Sequence, residues 1–458
     1  MKTDTSEKGL ETLILRHMTG TDGLESGAAD MVAEAALNTG GSGWFAGKPS
    51  AYDREFAVDV EQLFSFLGNT QPSETAKLGI ADFRDKKSIA RRKFLARLQG
   101  EISRYGTIHV LRNGLKYGAL SFDLFYGTPS PENKKAMERH VANRFSITRQ
   151  LAYSREETKR ALDLCAFING LPVMTFELKN SLTKQTVEDA IEQYKRDRDP
   201  RETLFEFGRC VVHFAVDDAK VGMCTALKGT KGMAKESWFL PFDQGWNDGA
   251  GNPPNPNGLK TDYLWKRILT PAGLTDILEN YAQIVEEESP KTGKKKKVQI
   301  FPRYHQLEVV RKLLADVRTN GAGQRYLIQH SAGSGKSNSI AWLAHQLIAA
   351  RKDGKEVFDS IIVVTDRRIL DKQIRETIKG FAQVGSIIGA VKEGGGVSKT
   401  EQLSKFLKDG KKIIICTVQT FPFVLDSIGE EHRGGNFAII VDEAHSSQGG
   451  RQQRSAGS

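Results

Sequence analysis

Cysteine is scarce: Cys165, Cys210, Cys224 and Cys416 are the only four in 458 residues. That is too few to staple a chain of this length, and none forms a C-x-x-C pair. A disulfide scaffold, a zinc ribbon and a thioredoxin-type site are therefore not signalled. The N-terminus, MKTDTSEKGL, lacks the apolar segment of a secretory signal. No uninterrupted apolar run reaches the ~18 residues that a spanning helix needs. A reduced, cytoplasmic location is the expectation. Acid is also in short supply, with 56 Asp+Glu against 66 Lys+Arg and a net charge of +10. A basic chain makes a polyanion partner plausible but says nothing about fold.

What is present is unevenly placed. Residues 291–458 hold 28 Lys+Arg against 16 Asp+Glu, whereas residues 1–290 hold 38 against 40. The basic excess belongs to the last third. Its densest run, KTGKKKK at 291–297, follows the acidic Glu286, Glu287, Glu288 and then Pro290. Such a run reads as a solvated linker or as a contact for DNA phosphates, and the two are compatible. A domain boundary is expected here. The predicted organisation is a first domain over 1–285, a basic linker over 286–298 and a second domain over 299–458.

Residues 51–68 carry helix-spaced apolar positions, including Phe56, Val60, Leu63 and Leu67. Segments 107–113, 118–126, 162–168, 171–178, 209–216 and 222–226 are short and β-rich. The Gly-, Asn- and Pro-rich stretch 243–260 reads as a surface loop. Beyond 299 the pattern alternates. Strand-like runs at 325–329, 360–365, 412–417 and 437–441 are interleaved with helical stretches at 305–318, 336–351 and 370–379. This predicts α+β architecture first, then α/β with a parallel sheet.

Two constellations carry chemistry. The first is YLIQHSAGSGKS at 326–337. Gly333 and Gly335, with Ser334 between them, permit the backbone turns that aim N–H groups at a phosphate. Lys336 would reach the β- and γ-phosphates, and the Ser337 hydroxyl would ligate Mg²⁺. His330 stands where the pattern G-x-x-x-x-G-K-S/T has glycine. Further on, FAIIVDEAH at 437–445 is an apolar strand ending in acids. Asp442 is placed to hold Mg²⁺ through water and Glu443 to polarise an attacking water. His445 completes the tetrad.

The second constellation is RALDLCAFINGLPVMTFELKN at 160–180. Asn169-Gly170 between two β-rich runs predicts a hairpin. Asp163 lies on one run, and Glu177 and Lys179 lie two apart on the other, hence on one face. Charged groups on apolar strands call for pairing or a cation. Asp163 and Glu177 would bind Mg²⁺, and Lys179 would orient or activate the water. Register decides the matter. A strict two-residue turn pairs Asp163 with Phe176 and separates the carboxylates. One extra residue in the loop, or one bulge, pairs Asp163 with Glu177, and this is the register expected.

The phosphate loop followed by DEAH resembles the first motor lobe of the superfamily 2 helicases and translocases. PRYHQ at 302–306 looks like the adenine-reading element of that superfamily, with Gln306 on the base edge and Arg303 nearby. VVTDRRILDKQ at 363–373 and TVQTF at 417–421 look like its DNA-facing loops, which implies phosphate contacts for Arg367 and Arg368. The hairpin matches the D…E-x-K pattern of the PD-(D/E)xK nuclease fold, although Leu162 stands where proline is common. Nuclease hairpin, linker, then motor lobe is the order of the type I restriction endonuclease R (motor) subunit, and residues 140–179 and 213–267 are similar to that family.

The resemblance implies a mixed sheet flanked by helices, then a RecA-like lobe. It implies ATP and Mg²⁺ as cofactors, with S-adenosylmethionine reached only through partner subunits. It implies double-stranded DNA and methyltransferase (M) and specificity (S) subunits as partners. It implies ATP-dependent translocation and DNA cleavage in the full assembly. One departure concerns the helix after E-x-K, where the family often has Gln and Tyr four apart. Here Gln193 and Tyr194 are adjacent and Ala190 lies four before Tyr194, so only Tyr194 and Lys195 keep an implied DNA contact. The other is that the motifs of a second motor lobe do not follow His445. Negligible ATPase and no translocation are expected of this chain alone. The alternative is a non-catalytic ATP- and DNA-binding fragment.

Overall fold

The computed structural model describes residues 7–22, 41–130, 132–156, 159–229, 233–247, 249–288, 293–331, 333–365, 377–378, 388–390, 399–422 and 434–442. It divides into two units, Met1–Arg303 and Tyr304–Ser458. Among the described residues no helix is long and apolar enough to cross a membrane.

The first unit begins with helix α1 (Glu7–Thr19) and is built on one seven-stranded sheet. Its strands are β1 (Phe45–Ala46), β2 (Phe145–Ala152), β3 (Ala161–Ile168), β4 (Leu171–Leu178), β5 (Val212–Val216), β6 (Val221–Cys224) and β7 (Leu240–Pro241), adjacent in chain order. Pairs β2–β3 and β3–β4 are antiparallel, whereas β4 and β5 are parallel. A parallel neighbour requires a crossover. The helix Val187–Asp197 supplies it.

Between β1 and β2 come helices α2 (Val60–Thr70), α3 (Ile89–Tyr105) and α4 (Thr107–Asn113). The expected helix over 51–68 starts only at Val60, capped by Asp59, whose carboxylate accepts from the Gln62 N–H at 3.0 Å. Residues 107–113, expected as strand, form α4. Glycines flank it at positive φ, Gly106 at 87° and Gly114 at 72°. Ile108 and Leu111, one helical turn apart, are both buried. Packing against α3 outweighs the β propensity of Thr, Ile and Val here.

Crossover helix α5 (Val187–Asp197) is fixed at its start by a capping box of Thr186 and Asp189. Val187, Ala190 and Tyr194 form its buried stripe, which packs against β4, β5 and β6. The core between them includes Cys165, Phe167, Leu204 and Phe205.

The predicted linker 286–298 is an antiparallel hairpin instead, made of β8 (Gln283–Glu288) and β9 (Lys295–Ile300). Glu286, Glu287 and Glu288 lie opposite Lys297, Lys296 and Lys295. Opposite charges directly across a ladder favour pairing over extension. Gln299 Nε2 ties the hairpin down by donating to the carbonyls of Cys210, Val211 and Thr225 at 2.8, 2.8 and 2.9 Å. Lys295 Nζ lies 3.6 Å from Glu286, and Lys297 Nζ donates to the Arg104 carbonyl at 2.9 Å.

The second unit holds helices α6 (Tyr304–Asn320), α7 (Lys336–Ile348) and α8 (Lys399–Lys408). Its strands β10 (Ser360–Thr365), β11 (Ile388–Ala390), β12 (Ile413–Thr417) and β13 (Phe437–Val441) form a parallel sheet in the order β11-β12-β10-β13. Helix α7 packs on β10, β12 and β13. The predicted strand 325–329 is not part of this sheet, and Leu327 is 89% exposed. A strand needs a ladder partner, and among the described residues β13 pairs only with β10. Most of the expected helix 370–379 lies outside the described residues.

Candidate functional site

The β3–β4 hairpin turns on Asn169 at φ 50° and Gly170 at φ 80°, as a two-residue primed turn requires. Asn169 is fully buried, and its Nδ2 donates to the Leu124 carbonyl and to Asn143 Oδ1, both at 2.9 Å. Pairing starts with Ile168 opposite Leu171 and Phe167 opposite Pro172, then shifts to Ala166 opposite Met174. Val173 is the extra residue. Beyond this bulge Leu164 lies opposite Phe176, which carries Asp163 to the position facing Glu177. The bulged register is the one that the sequence called for.

Glu177 is 0% exposed. Its Oε1 accepts from Arg198 Nε at 2.7 Å and lies 2.6 Å from Arg198 Nη2. Its Oε2 is buried with no hydrogen-bond partner. Asp163 Oδ2 accepts from the Leu178 N–H at 2.7 Å, which draws that carboxylate to the end of β4. Lys179 follows at 7% exposure, its N–H on the Val216 carbonyl at 2.8 Å. Burial pushes the Glu177 carboxyl up to about 8. Arg198 pulls it back most, Asp163 adds to the rise, and Lys179 opposes it. Two carboxylates and an ammonium thus share one end of a sheet, with one buried carboxylate oxygen unsatisfied. That oxygen fits a divalent cation, since an orphaned buried acceptor is costly. Among the described residues no cluster of three or more His, Cys, Asp or Glu forms a richer metal set.

Sequence reading missed Arg198. It is 3% exposed; burial works against its charge, and Glu177 holds that charge up. Its Nη1 donates to Tyr153 Oη at 3.3 Å, its Nη2 to the Ala161 carbonyl at 3.0 Å, and its guanidinium lies over the Tyr153 ring. In the run YKRDRD it looks like one more surface charge. The available signal was its position four residues after Tyr194, just past the end of α5 and in step with its buried stripe.

The DNA contact expected of Tyr194 is corrected. The ring is 0% exposed, and the hydroxyl lies 2.8 Å from Thr175 Oγ1 and donates to the Phe214 carbonyl at 3.3 Å. Thr175 also meets His213 Nδ1 at 2.7 Å, and burial pushes that imidazole down to about 3, so it is neutral. Tyr194 is part of the core under the site. Lys195 is partly exposed and sits 3.9 Å from Glu192.

In the second unit Gly333 at φ 73° and Gly335 at φ 82° give the turns that the phosphate loop needs. Lys336 and Ser337 open α7, and Ser334 Oγ is buried without a hydrogen-bond partner. Gln306 is 3% exposed, and its Nε2 donates to the Gly335 carbonyl at 2.8 Å. Its amide serves the loop in this structure. A Cβ on Gly335 would lie 2.4 Å from that nitrogen and push the Gln306 amide off the loop, while the positive φ by itself favours glycine there. Asp442 follows β13, is 7% exposed, and donates its N–H to the Val364 carbonyl at 2.9 Å. Arg303 closes the first unit. Glu443, His445, Arg367 and Arg368 lie outside the described residues.

Residues 127–232 match the family model for the N terminus of the type I restriction enzyme R protein, and residues 305–456 match that of the SWI2/SNF2 ATPase. By these matches the chain resembles the N-terminal portion of the type I restriction enzyme R proteins. Among relatives, the type I restriction enzyme HindI endonuclease subunit of Haemophilus influenzae is 27% identical over 332 residues, covering 68% of this chain and 28% of that protein. The MjaIXP endonuclease subunit of Methanocaldococcus jannaschii, named for the same enzyme class, is 25% identical over 346 residues, covering 70% and 30%. The chain therefore spans under a third of either relative. The carboxylate hairpin and α5 fall within the first match, and the phosphate loop and Asp442 within the second.

Proposed function

We propose that this chain carries the nuclease centre and the first motor lobe of a type I restriction enzyme, with a PD-(D/E)xK fold in the first unit and a RecA-like lobe in the second. The observation that carries the reading is the bulge at Val173, which brings Asp163 opposite Glu177 and leaves Glu177 Oε2 facing no donor. Asp163 and Glu177 would hold Mg²⁺, which when bound would polarise the scissile phosphate and lower the pKa of an attacking water. Lys179 orients that water and offsets the charge that develops on phosphate. Arg198 fixes Glu177 Oε1 and so keeps Oε2 aimed outward from the pair.

The lobe binds ATP as its substrate, with Mg²⁺. The N–H groups of Gly333 to Lys336, with the start of α7, donate to the phosphates. Lys336 neutralises them, Ser337 and Asp442 hold the accompanying ion, and Glu443 orients water. Duplex DNA is the substrate of both centres, and Lys195, Arg367 and Arg368 meet its phosphates. M and S subunits supply target reading. Cleavage of plasmid DNA by the complex assembled with M and S subunits tests the first centre. Asp163→Ala or Lys179→Ala should abolish Mg²⁺-dependent cutting and leave DNA binding intact. Cutting that survives both changes would move the nuclease elsewhere.

A further inference from the structure

The phosphate loop departs from its pattern at His330, and the structure gives that residue a partner. The rings of His305 and His330 meet edge to face, with centroids 4.9 Å apart and planes at 85°. His305 Nε2 lies 3.1 Å from the Ser334 carbonyl oxygen. A carbonyl only accepts, so Nε2 carries the proton. The next residue of α6, Gln306, donates to the next carbonyl of the loop, that of Gly335. Two consecutive side chains of one helix thus hold two consecutive carbonyls of the loop.

The peptide unit is planar and trans. The Ser334 carbonyl and the Gly335 N–H point in opposite directions from one plane, as do the Gly335 carbonyl and the Lys336 N–H. Holding both carbonyls from behind therefore turns those two N–H groups toward the concave side of the loop, where a phosphate would sit. We propose that His305 is a positioning residue of the nucleotide loop, acting through the Ser334 carbonyl, and that His330 sets the orientation of its ring. His330 then replaces the freedom of a glycine with a brace.

This rests on the reading of the loop as an ATP site, and the experiment separates the two. Binding of fluorescent methylanthraniloyl ATP and ADP, and competition by ATP and GTP, is measured on the whole chain with Mg²⁺. His305→Ala should weaken ATP and ADP about five- to tenfold, the loss of roughly one hydrogen bond's orienting effect. The ATP-to-GTP preference should not change, because the brace acts on phosphates and not on the base. His305→Gln, which keeps a donor of similar reach, should recover most of the loss. His330→Gly should weaken binding similarly alone and by less than about twofold in the His305→Ala background, since coupled partners are not additive. Lys336→Ala is the control. If Lys336→Ala abolishes binding but His305→Ala stays within twofold of the parent, the brace is wrong and the ATP site stands. If the parent chain binds neither nucleotide, or Lys336→Ala binds as well as the parent, the ATP site falls and the brace with it.

Discussion

Glu177→Gln tests the carboxylate pair through stability, without any need for cleavage. Burial raises the Glu177 carboxyl from 4.5 to about 8 in the folded chain. The folded state then keeps a proton that the unfolded state releases. Stability from this group is full below the unfolded value near 4.5 and is lost as pH rises through 8. At about 1.4 kcal/mol per unit, the whole window is worth about 5 kcal/mol, of which about 2 kcal/mol falls between pH 6 and 8. Glutamine has no such proton. It leaves Arg198 without its carboxylate, but that cost is the same at both pH values. Melting of parent and variant in EDTA at pH 6 and pH 8 reads the difference. The parent should lose about 2 kcal/mol more than the variant over that interval, or a few degrees of melting temperature. Mg²⁺ at pH 8 should restore the parent and leave the variant unmoved, because a cation on Oε2 supplies the missing charge. Curves that fall in parallel, with the same response to Mg²⁺, would refute the claim that Glu177 is a strained carboxylate awaiting a cation.

Arg198→Met should destabilise the first unit by about 1–3 kcal/mol in urea titration at neutral pH, because it takes the donor away from a fully buried carboxyl that keeps its proton there; Arg198→Lys should retain part of the pair, and a loss under about 0.5 kcal/mol in Arg198→Met would show that Glu177 does not depend on it. Tyr194→Phe removes the contact with Thr175 and should cost about 1 kcal/mol, with DNA affinity unchanged in a filter-binding or anisotropy titration. A tenfold weaker affinity would return Tyr194 to the DNA-facing surface.

Much of the chemistry was legible along the chain because it depends on local spacing. Asn169-Gly170 between apolar runs announces a hairpin, Glu177 and Lys179 share a face through the period of two, and Gly333, Gly335, Lys336 and Ser337 form a loop from consecutive residues. The pairing of Asp163 with Glu177 was legible as a condition. Buried carboxylates on opposite faces would be hard to satisfy, so the sequence demanded one extra residue without saying which, and the structure makes it Val173. The lysines of 295–297 read as a solvated linker or a contact for DNA phosphates; in the structure they lie across a ladder from Glu286 to Glu288 and stay exposed. Tyr194 inherited a DNA contact by resemblance, although its spacing from Val187 and Ala190 places it on the core stripe of α5. Apolar runs misled too: 107–113 became a helix between two glycines, and 325–329 stayed outside the sheet.

Sequence alone settled which residue types are available for phosphate and metal chemistry, because those patterns are carried by neighbours in the chain. Tertiary structure decided which of them meet. Arg198 reaches Glu177 from the residue that follows a crossover helix, 21 positions along the chain, and His305 reaches the Ser334 carbonyl across 29. No periodicity within one element encodes contacts of that kind. They arise when separate elements pack and a buried polar atom has to find a partner.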